Sequence, residues 1–334
     1  MKLFIILFSL LLTLFSCSNE YLPKEREIYL VTVADDFYNY NGNGRKLENV
    51  ITDQAALLLQ IQTFGDIHIN SYISQNGKRY TSSSPIYVAV DSEGRELEKN
   101  NDESFKSFIY KPKEGEEEKE WTIYDVMDYL GELELGDDDL LIFIFSGHGE
   151  KGNGSLMTNA STSSPQWDSL SPEDLFSILS TLGGKKLVVL DSCYSGVYVP
   201  SSPLYSSDVF ASEEKEDRWI GKSYPNAMKK ALFGDKRETF NNSDIWILSS
   251  TGRGQEASDS LDGGDGPFQT SYGAFTYYLL KALGYDTDRN EAVKEESRLT
   301  LYEVYSYIRK HFPEYETQIQ TPRVSNGGLD LILR

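Results

Sequence analysis

"LLIFIFSGHGE" (residues 140–150) and "KLVVLDSCYSG" (residues 186–196) end in the same way. Each is an almost unbroken apolar run that stops at small polar residues and then presents one reactive side chain, His148 in the first and Cys193 in the second. An apolar run without alternation marks a strand covered on both faces, as in a parallel sheet sandwiched by helices. Between them lies "SPEDLFSILSTLGG" (171–184), with Ser171 at a helix cap, Pro172 in the first turn, two acids behind it and Gly183-Gly184 at the end. One helix is one crossover, so the two strands are parallel neighbours joined in the right-handed sense. Their C-terminal tips then share the edge where open α/β sheets bind ligands. Neighbouring strands are about 4.8 Å apart, so a His and a Cys just beyond adjacent tips converge.

Working outward, the alternation continues. "EIYLVTVA" (27–34) reads as a buried strand, "RKLENVITDQAALLLQIQTF" (45–64) as a helix and "DIHINSYI" (66–73) as a second strand. Residues 74–119 interrupt this rhythm and read as an insertion, with a hairpin around Ser92-Glu93-Gly94 and a charged, solvated loop, "KPKEGEEEKE" (111–120). Thr122 caps a helix carrying Ile123, Val126, Met127, Leu130 and Leu133. Residues 197–242 are polar and rich in Ser and Lys, and read as a mobile loop. "DIWILSS" (244–250) is another strand, "YGAFTYYLLKALG" and "TLYEVYSYIRKHF" are helices, and "LDLILR" (329–334) reads as a last strand. No internal repeat is visible.

The 334 residues are 39% hydrophobic, enough for a sizeable core, and the formal net charge is -20. A phosphate-tracking binder would be basic, which argues against nucleic acid as a partner. "MKLFIILFSLLLTLFSCSNE" (1–20) has Lys2 ahead of an apolar run, Leu3 to Leu14, too short for a comfortable membrane span, and so reads as a targeting signal. Its end, Leu14-Phe15-Ser16-Cys17, resembles the bacterial lipobox. The resemblance implies cleavage before Cys17, lipidation of its thiol, a short tether over 18–26, and a protein exported to the cell envelope and anchored in a membrane by lipid. The bland alternative is an ordinary cleaved signal peptide. The chain has two cysteines. With Cys17 lipidated, Cys193 has no disulfide partner and is either buried filler or a nucleophile.

Alone, a strand-end His is usually a turn residue and a lone Cys is usually packing. Together, Gly-flanked and one crossover apart, they can form a nucleophile and base pair. An imidazole can accept or stabilise the proton of a thiol whose pKa is ordinarily ~8.5. Gly149 and Gly196 let backbone approach a substrate, and the N–H groups of Gly149 and Cys193 suit a developing oxyanion. His68, inside a strand, and His311, at a helix end, read as structural.

"SGHG" after a strand, with "LDSCYSG" some fifty residues on, resembles the caspase-like (clan CD, C14-type) cysteine peptidases, in particular the metacaspase and bacterial caspase-like branch. "LENVITDQAALL", "YGAFTYYLLKALG" and the tail from "DTDRNEA" to "QTPRV" agree, so the resemblance spans roughly residues 27–334. It implies the caspase–haemoglobinase fold, a three-layer α/β/α arrangement with a mainly parallel six-stranded sheet. It also implies an endopeptidase in which Cys193 attacks the peptide carbonyl, His148 handles protons for the leaving amine, and the Gly149 and Cys193 amides hold the oxyanion. No third catalytic side chain is assigned.

In metacaspases the S1 pocket is acidic and accepts Arg or Lys at P1, and the matching positions here are Asp53, Ser146 and Asp191. For Asp53 the competing reading is a solvated helix residue. Calcium-dependent relatives carry an acidic loop after the His, whereas here "EKGNGSLMTNAS" offers only Glu150, so no cofactor is expected and calcium is unsupported. "DTDRNEAVKEE" lacks the central Gly of a calcium loop and reads as solvated. Basic residues Lys215, Arg218 and Lys222 are candidates for self-cleavage. Two rivals stay open: a non-catalytic lipoprotein that binds a partner through this scaffold, and a transpeptidase using the same pair.

Overall fold

The computed structural model describes residues 26–37, 46–100, 102–161, 164–199, 244–258, 271–313, 320–325 and 331–334. The signal segment with Cys17, the tether up to residue 25, and Lys215, Arg218 and Lys222 of the 197–242 loop lie outside the described residues.

Strands β1 (Ile28–Asp35), β2 (Ile67–Gln75), β3 (Lys78–Ser82), β6 (Leu140–Ser146), β9 (Lys185–Asp191), β10 (Ile245–Ser249) and β11 (Arg323–Val324) form one sheet in the order β11-β10-β9-β6-β1-β2-β3. Five of them pair in parallel, while β3 and β11 close the two edges antiparallel. This is the expected mainly parallel α/β sheet, with seven described strands where the resemblance implies six. The additional edge strand comes from the interruption after β2. The turn at Asn76-Gly77, both with positive φ, folds Lys78–Ser82 back onto β2.

The faces alternate strictly along each central strand. Leu30, Ile142, Ile144, Leu187, Val189 and Leu248 meet one apolar cluster with helices α1 (Val50–Ile61), α4 (Ala274–Ala282) and α5 (Leu301–His311). Val31, Val33, Leu141, Phe143, Phe145, Val188 and Ile247 meet the other, with α2 (Ile123–Gly131) and α3 (Pro172–Leu179). Both faces are therefore dry, which is why these strands read as continuous apolar runs. The caps read from sequence are in place. Thr122 and Asp125 form a capping box on α2, and Ser171 accepts the Asp174 N–H at the start of α3.

The rest of the interruption forms the hairpin β4 (Tyr87–Val90) with β5 (Ser107–Tyr110). It lies over α1: the Phe108 N–H donates to Thr52 Oγ1 at 3.1 Å and the Tyr87 hydroxyl to Gln54 Oε1 at 2.8 Å. A helix covered by sheet on one side and hairpin on the other buries polar residues as well, and Thr52, Asp53, Gln54 and Gln60 are all buried. A further hairpin, β7 (Leu156–Ser161) with β8 (Ser164–Leu170), follows the His148 loop. The C-terminal residues of "LDLILR" do not join the main sheet. Leu331 and Leu333 are buried against the start of α5, where the Leu301 N–H donates to the Leu331 carbonyl at 2.9 Å. Among the described residues, no helix is long and apolar enough to cross a membrane.

Candidate active site

The central strands end in register. Ala34 of β1 pairs with Ser146 of β6, and Ser146 pairs with Asp191 of β9. Two residues beyond each of the last two tips stand His148 and Cys193, both half-buried. Backbone contacts seal the join. The Gly147 N–H donates to the Asp191 carbonyl at 3.2 Å. A Cβ placed on Gly149 would overlap the Cys193 carbonyl oxygen and lie 2.9 Å from its carbon, so only glycine fits there. The close approach allowed by Gly149 is thus to the Cys193 turn. That of Gly196 is to the Gly252–Arg253 backbone, which a Cβ would overlap. Both glycines thus weld the site together. Neither the Gly149 nor the Cys193 N–H donates to another described residue.

His148 is held at backbone and ring. Its carbonyl accepts the Met157 N–H at 2.9 Å, and its imidazole meets Phe37 edge-on with ring centroids 4.5 Å apart. Cys193 sits before a left-handed residue, Tyr194 at φ 60°. That turn is stapled by the loop after β10: the Tyr194 N–H donates to the Gln255 carbonyl at 2.7 Å, and the Ser195 and Thr251 hydroxyls lie 3.1 Å apart. The Tyr194 hydroxyl donates to Glu256 at 2.5 Å, and the Ala257 N–H points at the Cys193 sulfur at 3.3 Å. Burial pushes the Cys193 thiol up from its ordinary pKa; the Ala257 N–H opposes this, and the Glu256 and Asp191 carboxylates add to it. At neutral pH the resting sulfur therefore carries its proton and needs a base to lose it.

The two predicted acids converge. Asp53, in the first turn of α1, is buried and takes the Gly273 N–H at 3.0 Å. Asp191 takes the Thr276 hydroxyl at 2.7 Å. A Cβ on Gly273 would stand 2.9 Å from Asp53 Oδ2 and 3.3 Å from Asp191 Oδ2. Two carboxylates thus flank one glycine at the N-terminus of α4, whose macrodipole offsets part of their repulsion. Ser146, also buried, lies on the adjoining strand in register with Asp191. Two carboxylates so placed attract a cation.

His68 and His311 stand apart from this edge. His68 stacks on Tyr29 and lies 3.4 Å from Glu27, near the start of β1, and His311 packs on Tyr307 at the end of α5. Among the described residues, no group of three or more His, Cys, Asp or Glu side chains is arranged to hold a metal ion. Glu150 takes the Asn153 side-chain amide at 2.6 Å, and Asp286 caps its own turn by accepting the Asp288 and Arg289 N–H groups.

Sequence reading missed Phe37, Gly273, Thr276, Glu256 and Ala257. The available signal for the last two was "DIWILSS", another apolar strand ending on small polar residues, whose following loop had to reach the same edge.

A family model described as the caspase domain (peptidase C14) matches residues 99–330. Among solved structures, that of caspase-1 from Spodoptera frugiperda aligns at a TM-score of 0.43 and 13% identity, over 90% of this chain and 88% of that one. No curated protein matches.

The Cys193 environment gives a signed expectation. Glu256 disfavours the thiolate, so Glu256→Gln lowers the thiol pKa. The pH profile of Cys193 alkylation by iodoacetamide should then move to lower pH. A profile that stays put or moves up contradicts the charge effect.

Proposed function

The chain belongs to the caspase-domain family of cysteine peptidases, and from that premise we propose that it is an endopeptidase that cleaves after Arg or Lys through Cys193 and His148. The observation that carries the specificity is the convergence of Asp53 and Asp191 on Gly273, on the same sheet edge as the Gly149–Cys193 contact. Two carboxylates in a confined site need a cation to offset their desolvation and mutual repulsion, and a P1 guanidinium or ammonium supplies it. An acidic P1 side chain would meet repulsion there.

In this reading His148 takes the Cys193 proton and the sulfur adds to the scissile carbonyl. The oxyanion formed accepts hydrogen bonds from the Gly149 and Cys193 N–H groups. Collapse breaks the C–N bond, the leaving amine takes the proton back from His148, and a thioester remains. Water, deprotonated by His148, then adds to the thioester; the acid product leaves and the thiol is restored. An amine in place of water would make the same pair a transpeptidase, and product analysis separates the two. The same proposal extends, on the lipobox-like Leu14-Phe15-Ser16-Cys17, to export and a lipid anchor at Cys17, with protein or peptide at the envelope as substrate.

Cys193→Ala and His148→Ala should each abolish peptide cleavage, a loss of several orders of magnitude, with unchanged circular dichroism. A P1 scan on protein lacking residues 1–17 should favour Arg and Lys. Asp191→Asn should depress that turnover far more than turnover of a neutral P1 peptide. A preference for Asp at P1 would defeat the acidic-pocket reading.

Gly149→Ala must move either the His148 loop or the Cys193 turn. A displacement near 1 Å costs on the order of 100-fold in rate. Near-normal turnover in Gly149→Ala would show that the close contact is dispensable.

Metabolic labelling with a fatty-acid analogue should mark the wild type but not Cys17→Ser. Equal labelling of both excludes lipidation at Cys17.

A further inference from the structure

Asp35 ends β1, is fully buried, and has no part in the chemistry above. Its carboxylate nevertheless collects several donors: the Phe37 N–H and the Asn159 side-chain amide on Oδ1 and the Asn159 N–H on Oδ2, each at 2.8 Å, besides the Ser74 side chain. The Asn159 carbonyl in turn accepts from the guanidinium of Arg79, itself buried on β3, which also donates to the Trp121 carbonyl and lies over the Trp121 ring. Burial pushes the Asp35 carboxyl up, while the Asn159 and Phe37 N–H groups and the Arg79 charge pull it down. Charges are expensive to hold in an interior unless well paired, and this cluster is assembled from three separate strands.

What the cluster grips lies next to His148. Phe37 has φ 55°, a left-handed conformation that a bulky residue adopts only when its surroundings impose it, and Asp35 Oδ1 supplies the bond that does so. In that conformation the buried Phe37 ring meets the His148 imidazole at 4.5 Å and 74°. Asn159 is two residues along β7 from Met157, whose N–H holds the His148 carbonyl. One carboxylate thus braces both the ring and the backbone of His148. An imidazole needs such bracing because its χ2 torsion is broad and roughly two-fold.

We propose that Asp35, Phe37 and Asn159 form a clamp that orients the His148 imidazole toward Cys193, with Phe37 as a positioning residue for the proton transfers; the inference rests on the peptidase reading of the site. Phe37→Leu removes the aromatic edge while keeping apolar volume. Asp35→Asn turns one acceptor oxygen into an amide donor facing an N–H, so it should release the same grip.

The test measures turnover per active site, titrated with a thiol-alkylating peptide analogue so that unfolded protein is not counted. Phe37→Leu should lower kcat on the order of 10-fold or more with KM unchanged, as expected for a misplaced catalytic group. Asp35→Asn should do likewise, and the double variant should be no slower than the slower single one, because both act through one contact. A second readout does not depend on activity: the His148 ring-proton resonance, assigned by its absence in His148→Ala, should shift in both variants. Unchanged kcat per titrated site in Phe37→Leu, a loss carried by KM, or multiplicative effects in the double variant would overturn the clamp. If the wild type cleaves no peptide, the peptidase reading fails instead; the resonance then decides the clamp alone, upheld if it shifts in both variants and rejected if it moves in neither.

Discussion

Asp139 holds the register on which everything else depends. It is buried at the N-terminal end of β6, where Oδ1 accepts the Glu27 N–H at 3.1 Å, Oδ2 accepts the Gly136 N–H at 2.8 Å, and its carbonyl accepts the Lys185 N–H at 2.8 Å. Hydrophobic alternation cannot set the register of these strands, because both faces of β1, β6 and β9 are apolar and a one-residue slip would bury similar surface. Polar groups that must be satisfied at a strand end discriminate between slips, since a buried carboxylate left without donors costs more than a bond is worth. With one end pinned, equal strand lengths bring Ser146 and Asp191 level at the other. His148 and Cys193 are then placed by counting two residues on.

The site is built as much from missing side chains as from present ones. Gly149 lets the His148 loop touch the Cys193 turn, and Gly196 lets that turn touch the loop after β10. Gly273 lets two carboxylates close on one backbone position. The first two contacts are between backbones, so their geometry does not depend on rotamers. Sites held to within a fraction of an ångström gain from that rigidity.

How much was legible follows from the same physics. β1, β6, β9 and β10 were readable because dry strands must be apolar, β2 by its alternation of apolar and polar residues, and the helix starts at Thr122 and Ser171 because capping needs particular side chains. His148 and Cys193 were legible as side chains just past strand tips, whereas Asp53 and Asp191 came only from the family resemblance and the structure brings them to one glycine. β3 was not, since Lys78, Arg79 and Thr81 carry no apolar pattern, and β7 was lost among Thr, Asn and Ser. Ala257 contributes an N–H and Gly273 an absence, and neither leaves a signature in residue type. Phe37 required knowing that a residue two positions past β1 would turn back onto a loop reached only after residue 146.

The acidity around Cys193 opposes its thiolate, and the proposed function gives that acidity a use. Asp191 and Glu256 both work against the thiolate, on top of burial. In the proposed function a P1 cation seated between Asp53 and Asp191 cancels the first of those charges, while burial and Glu256 continue to oppose the thiolate. The same carboxylate that selects the substrate then stops opposing ionisation of the nucleophile. On that reading cation recognition and thiol ionisation are coupled through Asp191, and the proton that burial and Glu256 still favour on the sulfur is left for His148 to take.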